Sequence, residues 1–154
     1  MSKGQPFSWI DALLILGIVG LTFGLWYVIW SPGQEMARQT NMKWESRARM
    51  AALRTAQINF YNSKGHYTRD VDSLVTFVAN DMSDATRDSL FTKLYLTAFY
   101  PDSLRFSPLG HQVYKVEVVD TSAIPRYMIT CPDGFGYISS LTNPDEHNKA
   151  SWEQ

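Results

Sequence analysis

The sequence predicts an α+β protein: an N-terminal transmembrane helix continues into a second long helix, which packs on a small antiparallel β-sheet. Three observations predict it. Residues 12–30 carry no charged side chain. Apolar residues then recur at three- and four-residue steps between positions 50 and 60. After position 112 apolar and polar residues alternate. The first pattern suits a bilayer, the second an amphipathic helix, the third half-buried strands.

The first element is the uncharged run. Nineteen residues at 1.5 Å rise cover most of a hydrocarbon core about 30 Å thick. A buried soluble helix fits less well, because a chain of 154 residues has few places to bury a helix on all sides. Trp9 stands at one end of the run, and Trp26, Tyr27 and Trp30 at the other. Trp9, Trp26 and Trp30 are expected to anchor the two membrane interfaces. A cleaved signal peptide is disfavoured by the length of the run and by the lack of a small-residue cleavage site over 26–30. Ser31, Pro32 and Gly33 predict a bend or break where the helix leaves the lipid.

Gly17, Gly20 and Gly24 share one face of this helix. Small residues let a second helix approach closely, so this is a candidate packing face within the membrane. The plainer reading, that Gly is common in spanning helices, stays open. Asp11 at the N-terminal end complements the helix dipole and faces the headgroups; a proton or ion role is the other reading.

The stretch Phe7-Ser8-Trp9-Ile10-Asp11-Ala12-Leu13-Leu14 resembles the start of type IV pilins and type II secretion pseudopilins. In that family a short basic leader ending in Gly precedes a Phe-Thr-Leu-Ile-Glu-like segment and an apolar helix. Phe7 and Asp11 match the motif, with Asp11 at the place of the family's Glu. The leader-like residues 1–6 include Lys3 and Gly4, but Pro6 replaces the Gly before the cut. That departure predicts an unprocessed N-terminus. Without a free amine on Phe7, the family role of the carboxylate in filament assembly does not carry over to Asp11. The resemblance implies a bacterial inner (cytoplasmic) membrane protein, single-pass, with a periplasmic C-terminal domain. Basic residues point the other way: only Lys3 precedes the span, while Arg38, Lys43, Arg47 and Arg49 follow it closely. We side with the resemblance, since it extends past the span and these cations alternate with Glu35 and Glu45.

Residues 34–62 read as the second long helix. Met50, Leu53, Ala56 or Gln57, and Phe60 make its apolar face. Lys64-Gly65 ends it, with Gly in a left-handed cap. The run from Ala56 to Thr68, with Phe60, Tyr61, Lys64, Gly65 and Tyr67, again resembles the family, which carries a similar turn after its long helix. The implied role is packing. Thr68 or Asp70 caps a short helix over 71–79, and Ser83-Asp84 starts another towards Leu94. Residues 94–100 are rich in strand formers, and Pro101-Asp102 marks a turn. Short strands follow at 104–107, 112–119, 126–131 and 136–140. Tyr114, Val116 and Val118 face one way, as do Tyr127, Ile129 and Cys131. The chain thus divides into a leader-like N-terminus (1–6), a transmembrane helix (7–30), a break and stalk (31–49), a pilin-like α+β domain (50–140) and a C-terminal arm (141–154). Trp152 marks the arm as a docking segment or a frayed end.

Composition gives little support to chemistry. Net charge is -1, which argues against nucleic acid as a partner. His66, His111 and His147 lie in unrelated segments, and the single cysteine, Cys131, has no sequence neighbour that would activate it. Asp133, Asn143, Asp145 and Glu146 are oxygen donors; some major pseudopilins hold calcium in such a loop, and a solvated acidic turn is the plainer reading. No catalytic, cofactor or metal site is expected. The function expected is that of a non-enzymatic, membrane-anchored structural or accessory subunit. Its expected partners are the bilayer and other membrane protein subunits of a larger complex, with respiratory or photosynthetic assemblies as possible hosts. The alternative is a true pseudopilin or minor pilin.

Overall fold

A computed structural model describes residues 8–91, 94, 98–120 and 124–153. The chain divides into two compact units, Met1–Gln39 and Thr40–Gln154. One helix, α1 (Trp9–Lys64), contributes residues to both. The layout is α+β, with a long apolar N-terminal helix and a small antiparallel sheet.

In the first unit α1 opens on a reciprocal cap. The Ser8 amide donates to Asp11 Oδ2 at 3.1 Å, and the Ile10 amide donates to Ser8 Oγ at 3.4 Å. Two of the amides left over at a helix start are thereby satisfied. A bend or break is expected at Ser31-Pro32-Gly33; the helix is not broken there, since the backbone stays helical through all three positions. Proline removes one donor and crowds one carbonyl, at a cost of about 3 kcal/mol. Intact turns on both sides outweigh that local loss.

The second unit begins at Thr40 and takes in part of the stretch expected as a stalk. Glu45, Ser46 and Met50 of α1 are already buried there. The expected apolar face is the buried one: Met50, Leu53, Ala56, Gln57 and Phe60 all lie inside. Gly65 closes the helix at φ +79°, donating its amide to the Tyr61 carbonyl at 2.8 Å. Helix α2 (Val71–Thr76) is capped by Asp70, whose carboxylate accepts from the Asp72 and Ser73 amides. It widens into a π-turn over Phe77–Asp81, so the expected α-helix stops early. Helix α3 (Asp84–Leu90) is capped by Ser83, as expected, and ends before Leu94.

A 3-10 turn (Pro101–Leu104) leads into the sheet region. The strand expected at 104–107 reduces to a single bridge between Phe106 and Val113. Among the described residues the sheet has three strands in the order β1 (Lys115–Val119), β2 (Arg126–Thr130), β3 (Tyr137–Ile138), all antiparallel. Val116 sits opposite Ile129, and Ile129 opposite Ile138. Their inward faces join Leu53 of α1 and Leu74 of α2 in one core.

The C-terminal residues fold back on the domain. Ala150 bridges Ile138 and is fully buried. The Ser139 amide donates to the Lys149 carbonyl at 2.7 Å, and the Ser151 amide to Tyr137 at 2.9 Å. Trp152 packs against the core beside Gly136. Tyr137 and Ile138 are therefore covered on this side by the chain's own tail.

Candidate functional site: an uncovered apolar helix and a sealed domain

In the first unit, α1 is long and apolar enough to cross a membrane, and none of its most apolar window is buried within the chain. Leu16 is 73% exposed and Leu21 71%. A buried-core reading of this helix therefore has no support among the described residues. Trp9 and Trp26 are exposed near the two ends of the run, with Phe23 set edge-on to Trp26 at 5.9 Å. The one polar side chain in the middle is satisfied internally: the Thr22 hydroxyl donates to the Ile18 carbonyl at 2.7 Å. That arrangement suits a medium without water, where each unsatisfied polar group is costly.

Gly17, Gly20 and Gly24 leave the helix surface open: a Cβ at any of them would meet nothing within 4 Å. Whatever these positions accommodate lies outside the described residues of the chain. Asp11 is held by the cap with Ser8, so its carboxylate has a local structural task. Phe7 and the leader-like residues 1–6 lie outside the described residues, as does the side chain of Trp30.

Several buried polar groups of the second unit are paired with one another or with backbone. The buried Ser46 hydroxyl sits 3.0 Å from the Tyr114 hydroxyl and 3.1 Å from Cys131 Sγ. Burial pushes the Tyr114 phenol well up, against the pull of its hydrogen bond to Ser46. Glu45 is paired with Arg49, whose Nη1 donates to the Phe106 carbonyl at 2.7 Å. The buried Gln57 amide clasps the turn after α1, donating to the Thr68 carbonyl at 2.5 Å and accepting from the Thr68 amide at 3.3 Å. Tyr61 stacks on Tyr67 with ring centroids 4.5 Å apart, and Tyr67 lies tilted against Tyr127 at 4.8 Å. His147 closes this row edge-on to Tyr127. Burial and the nearby Arg126 charge both lower its pKa.

The sequence candidates for chemistry are not brought together. Cys131 is buried against Ser46 rather than a histidine. His66 turns to the Lys64 carbonyl and Phe60, while His147 faces tyrosines. Asn143 caps a 3-10 turn (Pro144–Glu146) through the Asp145 amide. Among the described residues no group of three or more His, Cys, Asp or Glu side chains is placed to hold a metal ion.

One arrangement escapes a local reading of the sequence. Arg47 on α1 lies over two tryptophan rings, 5.3 Å from the Trp44 centroid and 4.9 Å from that of Trp152. Its Nε donates to the Phe135 carbonyl at 3.4 Å. Only the returned tail could supply the second ring, and nothing in the spacing of Arg47 and Trp152 announces it. Comparison of the chain with protein-family models, with curated proteins and with solved structures finds no match.

Proposed function

We propose that the protein is a non-enzymatic, single-pass membrane subunit whose apolar helix docks into a larger membrane complex and whose domain presents a binding surface to partner proteins. The observation that carries this reading is the apolar window of α1, which none of the described residues covers. Its large apolar side chains are each worth about 1.5–3 kcal/mol when buried, so a bilayer is the natural place for them. The open glycine face at Gly17, Gly20 and Gly24 supports a neighbouring helix as the contact. By the resemblance to pilins, the membrane is the bacterial inner membrane and the domain is periplasmic. An energy-transducing complex, respiratory or photosynthetic, is one candidate host.

A second reading, a pseudopilin or minor pilin, draws on one further observation. A long helix, the Gly65 turn and an antiparallel sheet follow one another in the pilin-like order. Processing before Phe7 separates the two readings.

Alkaline carbonate washing of native membranes tests the anchor. The full chain is expected to stay with the membrane pellet, and a variant lacking residues 9–30 to leave it. Added protease is expected to digest the domain in spheroplasts without lysis. Release of the intact chain by carbonate would contradict the anchored reading.

A further inference from the structure

We propose that residues 147–152 form a proton-operated strap: protonation of His147 releases it from the edge of β3 while the rest of the domain stays folded. The strap is the segment that lies over Tyr137 and Ile138. Three backbone contacts seat it there: the Ile138–Ala150 bridge, the Ser139 amide on the Lys149 carbonyl, and the Ser151 amide on the Tyr137 carbonyl. At its far end Trp152 lies over Arg47, and Glu153 pairs with Arg54. The root is fixed by separate means. Arg126 holds the Leu141 and Thr142 carbonyls, and Ser140 Oγ accepts from the Thr142 and Asn143 amides.

Asn148 is the clasp. Its amide donates to Ser139 Oγ at 3.2 Å, its side-chain oxygen accepts from the Tyr127 hydroxyl, and its carbonyl accepts from Arg54 at 2.9 Å. Both residues of the first bond are left-handed: Asn148 has φ +62° and Ser139 φ +67°. Asparagine tolerates that region, and serine enters it at a cost. Such strain persists only where the surrounding contacts over-determine it. It offsets part of what the closed contacts contribute, so the strap lies nearer to opening than its bonds alone suggest.

His147 precedes the clasp and supplies the trigger. Facing it are the Tyr127 ring at 5.9 Å, the Tyr67 ring at 6.5 Å and the Arg126 cation. Its Nδ1 is buried and has no hydrogen-bond partner among the described residues. In the imidazolium both ring nitrogens are donors, so protonation in place would leave a charged N–H unmatched. The carboxylates nearest in the tail are engaged elsewhere: Glu146 accepts from Asn143, and Glu153 pairs with Arg54. Asp145 and Lys149 are exposed. Burial first, and Arg126 second, disfavour the charged ring. Once the strap opens, the ring takes up a proton near its ordinary value of about 6.5. The open form thus binds the proton more tightly than the closed one, and falling pH draws the equilibrium towards it. One pH unit below that value the gain is bounded at about tenfold, a population shift in a local equilibrium. Opening bares the Tyr137 carbonyl and the Ser139 amide, an edge of the kind that an extended segment adds to. The device belongs to the second unit alone and stands whether or not α1 is an anchor.

Residue-resolved hydrogen exchange of the full chain in a mild neutral detergent tests the strap. Rates are compared at about pH 7.5 and about pH 5.5, after correction for the intrinsic chemistry of exchange. The Ser139 and Ser151 amides are expected to open about tenfold or more often than those of Leu53 in α1 and Met128 in β2, because the strap opens without the core. Their opening is expected to rise about fivefold at the lower pH. His147→Gln is expected to lose that rise, with near-ultraviolet circular dichroism confirming the fold. A second reading needs no variant: the His147 ring, followed by NMR in the wild type, is expected to titrate below the ordinary imidazole value of about 6.5. The proposal is overturned by strap amides as protected as Leu53 and Met128, which would mean that the segment opens only with the whole domain. Opening that ignores pH overturns it too, as does a folded His147→Gln protein that keeps the rise. So does a His147 ring that titrates at or above the ordinary value.

Discussion

Gln57 shows how single residues hold the domain turn in place. Its amide is fully buried and serves both backbone groups of Thr68. Gln57→Leu would fill the same space and leave those two groups without partners. The expected loss is about 2 kcal/mol, read from urea unfolding of the full chain in detergent. Arg49→Met tests the pair beside it. Glu45 would be left buried without its guanidinium, and such a broken pair costs about 3 kcal/mol. Loss of less than half that amount would mean that another partner compensates the carboxylate.

The pH response also belongs to single side chains. Glu153 has its carboxyl held low, chiefly by the Ala150 amide and further by Arg54. Asp70 is held low by Ser73 and by the α2 cap. Both contribute stability above the ordinary carboxylate range and lose it as pH falls through their lowered values. His147 adds in the same direction. Burial and Arg126 disfavour its charged form, so the unfolded chain takes up the proton first as pH drops below about 6.5. Stability is therefore expected to be flat near neutrality, to decline below that pH, and to fall again in the carboxylate range. Thermal melts across pH read this directly. His147→Gln should remove the first decline and leave the second.

At the scale of elements, the helix caps and the sheet faces were legible in the sequence because their causes are local. Asp70 and Ser83 cap where a short polar side chain precedes a helix, and Gly65 ends α1 where a left-handed residue is needed. The alternation of Val116 and Val118, and of Tyr127 and Ile129, maps directly onto the buried face. Pro32 misled, because a local rule for breaking helices competes with long intact flanks on both sides. The fold-back of the tail was not legible either. Ala150 and Trp152 are held by partners more than ten positions away, Ile138, Gly136 and Arg47, and no periodicity encodes such pairings. The candidate site divides in the same way. Its glycine face and tryptophans are read from spacing, whereas the Arg47 stack exists only in three dimensions.

The glycine face carries the prediction at this scale. Gly20→Leu meets no atom of the chain itself within 4 Å of the new Cβ, so the domain should melt at the same temperature as the wild type. Association with a neighbouring helix should weaken, since close approach of backbones is what small residues permit. Co-purification of partner subunits from native membranes is the readout. Retention at wild-type level would remove the glycine face from the docking surface.

For the whole molecule, two units divide the labour. Residues up to Gln39 offer an apolar helix that needs a medium, and those from Thr40 onward form a compact domain around a buried core. The proposed role is that of an anchored binding subunit. Its central claim is tested most directly by native mass spectrometry of the protein purified from its own membrane in mild detergent, with the intact mass of each released chain measured in the same run. The expected result is a stoichiometric assembly that contains this chain, unprocessed before Phe7, and that loses partners in the Gly20→Leu variant. A chain that travels alone would contradict the claim. A chain cut to begin at Phe7 would move the pseudopilin reading into first place.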